Sequence, residues 1–187
     1  MESMTQTTAS TRDRLLDCAE SLLAAAPYET VSVRSICASA DANVAAVHYH
    51  FGTKEDLVVA LLNERLAPHW ERPLDDLDER PRVADIVDAI LTPFLRLHAD
   101  PLGRLHLRLL ARVVDDADQS SWHGRWFSLD TWSALLPRVD RAQARRRWAL
   151  AFDLILRTFS RTETPLSDDA VSALREFVIA GLGAPVR

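Results

Sequence analysis

Apolar residues recur every three to four positions along most of the chain, which is the spacing of a helix with one buried face. The first such stripe runs from Leu15 to Ala26; the pair Ser10 and Asp13 before it is typical of a helix start, and Pro27 ends it. No stretch alternates apolar and polar residues as a strand would. The pattern predicts an all-α protein.

Two short helices are expected soon after the first. One follows Ser32 as its N-cap, and the other spans residues 44–51, with Asn43 as its N-cap and Gly52 as its stop. A tight turn over residues 41–43 separates them. The inner face of the earlier one holds Val33, Ile36, Cys37 and Ala40. This order of elements is the outline of a helix–turn–helix, whose last helix fits a DNA major groove about 12 Å wide.

Longer amphipathic segments fill the rest of the chain. A fourth helix is expected from Thr53 toward Pro68 or Trp70, and further helices over residues 83–98, 101–116, 125–136, 141–159 and 168–182. We expect a disordered tail at 1–9, a helix–turn–helix domain at 10–57 and a second helical domain at 58–187.

The charge of the chain does not by itself favour DNA binding. The formal net charge is −5, and the first 54 residues hold four basic and six acidic side chains. Only one of the 22 basic residues is a lysine, Lys54. Any contact with DNA must therefore come from a local arrangement of charges and not from a general positive field.

The cysteine count and the lack of long apolar runs indicate the cellular compartment. Cys18 and Cys37 are too few for a disulfide framework or a zinc site, and both fall on inner helix faces as small core residues. Residues 1–11 lack the apolar segment of a secretory signal, and no apolar run approaches the roughly 18 residues of a membrane span. We expect a reduced, cytoplasmic protein that contacts no membrane.

The predicted helix at 44–51 has one face suited to DNA. A helical wheel turns Val44, Val47 and Phe51 inward, and places His48 at the boundary. The outward face holds Ala45, Ala46, Tyr49 and His50. Small side chains let a helix approach base edges closely, an alanine methyl can touch a thymine methyl, and a tyrosine hydroxyl can reach a phosphate.

The segment Val31–Leu57 resembles the N-terminal DNA-binding domain of the TetR family of bacterial transcriptional repressors; it reads VSVRSICASADANVAAVHYHFGTKEDL. The resemblance covers residues 11–60 and is closest over Asn43–Glu55. One departure is Asp41, which stands where the family usually has glycine. Aspartate tolerates the left-handed backbone conformation better than most residues, and it adds a negative charge on the DNA side.

The resemblance implies a role for each matched position. Arg34 corresponds to a base or phosphate contact, and Lys54 to a lysine that grips a phosphate at a helix N-terminus. Val44, Ala45 and Ala46 occupy the positions that read DNA bases. At least one of the aromatic side chains that follow corresponds to a contact with the DNA backbone. The implied DNA-binding set is Arg34, Asn43, Val44, Ala45, Ala46, His48, Tyr49, His50 and Lys54.

Aromatic residues spread over several helices of the second half suggest a cavity for a small, largely apolar molecule. The candidate lining is Phe94, His98, Leu102, His106, Trp122, Trp126, Phe127, Trp148 and Phe152. His98 and His106 are its candidate polar groups, because a neutral imidazole offers one donor and one acceptor. The alternative is that these rings form an ordinary core.

The last two predicted helices carry apolar residues on more than one side, which indicates burial on two sides. In TetR-like proteins the last two helices form a four-helix dimer interface. The candidate interface residues are Leu150, Leu154, Leu174, Phe177 and Val178.

These features predict a dimeric regulator, a repressor that binds a palindromic operator in double-stranded DNA and is released by a small-molecule effector. The alternative is a small helical enzyme or binding protein that uses the aromatic cavity. No sequence motif for hydrolysis, phosphate binding or metalloprotease chemistry supports an enzyme. No catalytic residue or cofactor is assigned. No metal site is assigned either, because His48 and His50, two positions apart, point about 200° apart on a helix.

Overall fold

A computed structural model describes residues 10–114, 122–123, 127–136 and 138–185. Every regular element in those ranges is helical, which confirms the predicted all-α class. A short 3-10 helix, Tyr28–Thr30, lies between the first two α-helices. The α-helices are α1 (Thr11–Ala25), α2 (Val33–Ser39), α3 (Val44–His50), α4 (Lys54–Asp75), α5 (Val83–Ala99), α6 (Pro101–Val113), α7 (Leu129–Ala134), α8 (Arg141–Arg161) and α9 (Asp168–Gly183).

The first three helices begin at the predicted residues because their N-caps satisfy backbone N–H groups locally. The Ser10 hydroxyl accepts from the Asp13 N–H at 3.1 Å, and the Asp13 carboxylate accepts from the Ser10 N–H. Ser32 forms the same reciprocal pair with Ser35. Asn43 accepts a backbone N–H of α3 at 2.8 Å. Each such cap contributes about 1 kcal/mol, enough to define the start of a short helix.

Helix α4 extends beyond its predicted end at Pro68 or Trp70. It continues to Asp75 and contains both Pro68 and Pro73. Trp70 is buried, and its indole Nε1 donates to the carbonyl of Ile90 at 3.1 Å. The packing of this helix face outweighs the backbone hydrogen bonds that the prolines remove.

Helix α7 begins later than the predicted residue 125. Its N-cap is Ser128, and its first residue is Leu129. The preceding rings of Trp122 and Phe127 pack on each other with centroids 5.2 Å apart. The apolar residues Trp122 and Phe127 therefore pack on each other before α7 begins and do not form its first turn.

The remaining long helices agree with the sequence. Helices α5, α8 and α9 begin at the predicted residues and end one or two residues later than expected. The predicted tail at 1–9, residues 115–116 of the predicted 101–116 helix and residues 125–126 lie outside the described residues.

The chain divides into two compact units, residues 1–61 and 62–187, and α4 contributes to both. In the first unit, α1, α2 and α3 pack on one another around a core that includes Leu15, Leu16, Ile36 and Val47. In the second unit, α5 packs against α6 and α9, and α8 packs against α6, α7 and α9. The domain boundary expected after residue 57 also falls within α4. None of the described helices is long and apolar enough to cross a membrane.

Candidate functional site

The turn between α2 and α3 is held by its backbone. Asp41 has a φ of 48°, which is the left-handed conformation. This conformation is expected at a position where the family usually has glycine. The next N–H, of Ala42, donates to the carbonyl of Cys37 at 2.9 Å. Cys37 is buried, its thiol donates to the carbonyl of Asn43 at 3.5 Å, and burial raises the pKa of the thiol. Cys37 is thus a core residue of the turn, whereas Cys18 is only half-buried.

Helix α3 is anchored by one residue and presents the others outward. Val47 is fully buried, and Phe51 is half-buried. Tyr49 is 85% exposed. The wheel was wrong about Val44, which is 37% exposed, because it begins the helix and no earlier turn covers it. Ala45, His48 and His50 are also exposed, and Ala46 is half-buried.

The end of α3 is closed by Gly52, as predicted. Its φ is 88°, and its N–H donates to the carbonyl of Val47 at 3.1 Å. The ring of His48 hydrogen-bonds the Gly52 carbonyl through Nδ1 at 2.9 Å. His48 therefore stabilises this turn, while the rings of Tyr49 and His50 pack edge-on with centroids 5.0 Å apart.

Lys54, the first residue of α4, is held by Tyr28. Its Nζ donates to the Tyr28 carbonyl at 2.5 Å and lies 3.7 Å from the centre of the Tyr28 ring. The Tyr28 hydroxyl donates to Glu55 at 3.1 Å. These contacts fix an ammonium at the N-terminus of a long helix, where the helix dipole also favours an anion. No local pattern signals Tyr28, because the contact joins residues 26 positions apart.

Arginines of the first unit differ in their surroundings. Arg34 is exposed near the start of α2. Arg14 donates to the carbonyl of Ala40 at 3.4 Å, and the guanidinium of Arg12 lies 5.5 Å from the centre of the Phe51 ring. Arg12 and Arg14 thus pack on the α2–α3 region.

The candidate cavity residues of the second unit fall into separate groups. One is a ring cluster in which Phe94 stacks on Phe159 at 5.4 Å and meets Trp70 edge-on at 5.1 Å. His98 packs edge-on against Phe159 at 5.5 Å, and its Nε2 hydrogen-bonds the Thr162 carbonyl at 3.0 Å. That imidazole nitrogen is occupied by the protein itself.

The second group is an aromatic triad of Trp132, Trp148 and Phe152, with ring centroids 5.0 to 5.5 Å apart. His106 is buried, whereas Leu102 is 42% exposed and does not line an interior, because it lies in the first turn of α6. Trp126 lies outside the described residues. The candidate lining omitted Trp70, Trp132 and Phe159, which join these ring clusters.

Helices α8 and α9 expose an apolar face. Leu150 is 74% exposed and Phe177 is 69% exposed. Between them lies an open groove of about 780 Å³, lined by apolar side chains and by arginines at its rim. Of the other candidate interface residues, Leu154 is half-buried, while Leu174 and Val178 are buried within the protomer.

A helix–turn–helix unit followed by a helical bundle is the architecture of a DNA-binding transcriptional regulator. The sequence model described as "Bacterial regulatory proteins, tetR family" matches residues 15–61. Residues 15–61 are thus similar to the DNA-binding domain of the TetR family of transcriptional regulators.

Solved structures with the same fold extend the likeness to both units. A TetR-family transcriptional regulator from Streptomyces coelicolor aligns with a TM-score of 0.69 and 21% identity, over 95% of this chain and 100% of that one. NalD of Pseudomonas aeruginosa, the secondary repressor of the MexAB-OprM multidrug efflux pump, gives 0.61 and 19%, over 91% and 96%. The multidrug-binding protein EbrR, solved with imidazole, gives 0.62 and 24%, over 96% and 98%. No curated protein sequence matches significantly.

Proposed function

We propose that this protein is a cytoplasmic, homodimeric repressor that binds a palindromic DNA operator and is released by a small, largely apolar molecule. The observation that carries the proposal is the outward face of α3. Ala45 and Tyr49 are exposed on this face, and Val47 on the opposite face is buried and anchors the helix. This face offers small residues for base edges and a hydroxyl for the phosphate backbone.

The α8–α9 groove supports the dimer, and we assign a second copy of the chain as its occupant. Phe177 is exposed at the edge of this groove. Two copies related by a two-fold axis can therefore each pack the Phe177 ring against the groove of the other copy. The rim carries both signs of charge, Asp153 and Arg157, whose side chains pair at 2.6 Å. A face with both a projecting ring and a groove suits self-association.

In the proposed complex, Arg34 and Lys54 contact the phosphate backbone and the first turn of α3 reads base edges. Tyr28 holds the Lys54 ammonium in place, which lowers the entropy lost when it meets a phosphate. The remaining DNA contacts come from Asn43 to His50, with Tyr49 as the most exposed ring.

Substitution of Arg34 or Lys54 by alanine should weaken operator binding by about 1–3 kcal/mol each. Loss of Lys54 should weaken all DNA sequences evenly and lower the slope of log affinity against log salt by about 1. Mobility-shift titrations at several salt concentrations measure both. Arg108→Ala, an exposed arginine of α6, is the matched control and should bind like wild type. Thermal melts of each variant separate a lost DNA contact from a lost fold, and unchanged affinity for both variants contradicts the interface.

The proposal as a whole is tested on the DNA that flanks the protein's own gene. We expect a discrete shifted band that random DNA of equal length competes poorly, and a footprint with two-fold symmetry. A dimer should place its two α3 helices about 34–36 Å apart, or a multiple of a helical turn. Equal affinity for flanking and random DNA would rule out an operator there.

The effector is assigned to the aromatic second unit. Two structural neighbours are described as a repressor of a multidrug efflux pump and as a multidrug-binding protein, which supports an apolar ligand. The ligand must favour a dimer whose two reading helices no longer match the operator, and a tenfold loss of DNA affinity needs about 1.4 kcal/mol of such preference.

A further inference from the structure

Trp148 carries a buried hydrogen-bond donor that has no acceptor in the part of the chain that the structure describes. The side chain is fully buried, and Nε1 meets no acceptor among the described residues. Trp70 provides the contrast: it is also buried, and its Nε1 donates to the Ile90 carbonyl at 3.1 Å. Leaving a buried N–H without a partner is costly, so an orphan donor at this depth calls for a specific explanation.

The surroundings of this donor are apolar. Its ring lies 5.3 Å from the Trp132 ring and 5.5 Å from the Phe152 ring. The same face of α8 carries Ala144, Ala151 and Ile155, all buried. A site with one N–H in an apolar wall favours an uncharged molecule with one acceptor, because a single donor cannot offset the desolvation of an anion.

Helix α7 contributes one of the rings that pack on Trp148. It has six residues, packs mainly against α8, and supplies Trp132 to the aromatic triad. Asp130 of α7 also pairs with α8, with Arg141 at 3.1 Å and with Arg145. These side chains are substantially exposed, so the ion pairs add little to the free energy of holding α7 in place.

We propose that Trp148 Nε1 is the hydrogen-bond donor of an effector subsite beneath α7, and that the effector is an apolar molecule with an uncharged oxygen acceptor such as a ketone. The ligand enters by shifting α7 and its Trp132 ring. The carbonyl oxygen accepts from Nε1, and the rings of Phe152 and Trp132 cover the apolar body. The inference rests on the proposed ligand-responsive function and names the ligand class for it.

The test compares acetophenone with α-methylstyrene, which has nearly the same shape but a methylene in place of the carbonyl oxygen. Binding is followed by intrinsic tryptophan fluorescence and by the shift in melting temperature. We expect wild type to bind acetophenone about tenfold more tightly, the equivalent of about 1.4 kcal/mol. Trp148→Phe keeps an aromatic ring but removes the N–H, and it should bind both compounds equally.

Trp70→Phe is the matched control, since it removes a partnered indole N–H. It should keep the preference for acetophenone, which Trp148→Phe should lose; both substitutions remove buried ring volume and lower the melting temperature. A preference that survives in Trp148→Phe, its absence in wild type, or no acetophenone binding up to the solubility limit would each overturn the assignment.

A mobility shift with acetophenone separates this inference from the proposed function. Binding with the expected preference but without release of DNA would retain the Trp148 subsite and refute ligand-driven release. Failure of the wild-type protein to recognise its flanking DNA would refute the operator and leave the binding result intact.

Discussion

Replacement of Phe177 by aspartate should convert the proposed dimer into a folded monomer that binds the proposed operator about 100-fold more weakly. The Phe177 side chain is 69% exposed in the protomer, so a charge there leaves the core of the second unit intact. In the proposed dimer it would replace the apolar ring by a carboxylate against the apolar part of the partner's groove, and burying that charge costs more than contacts with the arginines of the groove return. Separation of the two heads removes the gain from binding two half-sites at once, which is worth about 10²–10⁴ in affinity. Light scattering and mobility-shift titration measure the two effects.

The neighbouring residue supplies the control. Val178 is buried within the protomer, so Val178→Asp should unfold the chain and not merely separate the dimer. Phe177→Leu keeps an apolar side chain and should remain dimeric. Phe177→Asp that stays dimeric at micromolar concentration would show that the two copies associate through another face.

Gly103→Ala should destabilise the second unit by about 3 kcal/mol or more. Gly103 lies in the first turn of α6, and a Cβ added there would lie 2.1 Å from the carbonyl oxygen of Leu97 in α5. That oxygen belongs to the backbone, so the contact can be relieved only by moving one helix away from the other. The Arg104 side chain also donates to the His98 carbonyl at 2.8 Å across the same corner. Urea unfolding measures the loss.

Gly183→Ala is the matched control for Gly103→Ala. Nothing lies within 4 Å of a Cβ at position 183, so the substitution should not destabilise the chain, and the helix preference of alanine should add at most about 1 kcal/mol to the free energy of unfolding. Wild-type stability of Gly103→Ala would mean that α5 and α6 do not approach each other as closely as the structure has them.

The helix–turn–helix unit could be predicted closely from the sequence because its signals are local. Ser10, Ser32 and Asn43 each cap a helix within three residues, and Gly52 ends α3 through its own φ. Each signal acts over a single turn, so no knowledge of distant contacts is needed. The Lys54–Tyr28 contact in the same unit is not local, and it was not predicted.

The contacts of the second unit were harder to predict from the sequence. The spacing of apolar residues indicates that a residue is buried but not which residues cover it. Trp70 prolongs α4 through a contact with Ile90, which no pattern near Pro68 reveals. Leu174 and Phe177 both lie on apolar faces of α9, yet Leu174 is buried in the protomer and Phe177 is exposed. Likewise Trp148 and Leu102 shared one predicted cavity, and only Trp148 is interior.

The left-handed Asp41 in the turn before α3 has a consequence for how the proposed repressor searches a chromosome. Asp41 adds a negative charge at this turn, and the helix–turn–helix unit already has more acidic than basic residues. Both weaken the sequence-independent attraction to DNA phosphates. Random DNA vastly outnumbers operators, so weaker nonspecific binding leaves a larger share of the molecules unoccupied. A cell then needs fewer copies to keep one operator filled, and a small amount of effector suffices to empty it.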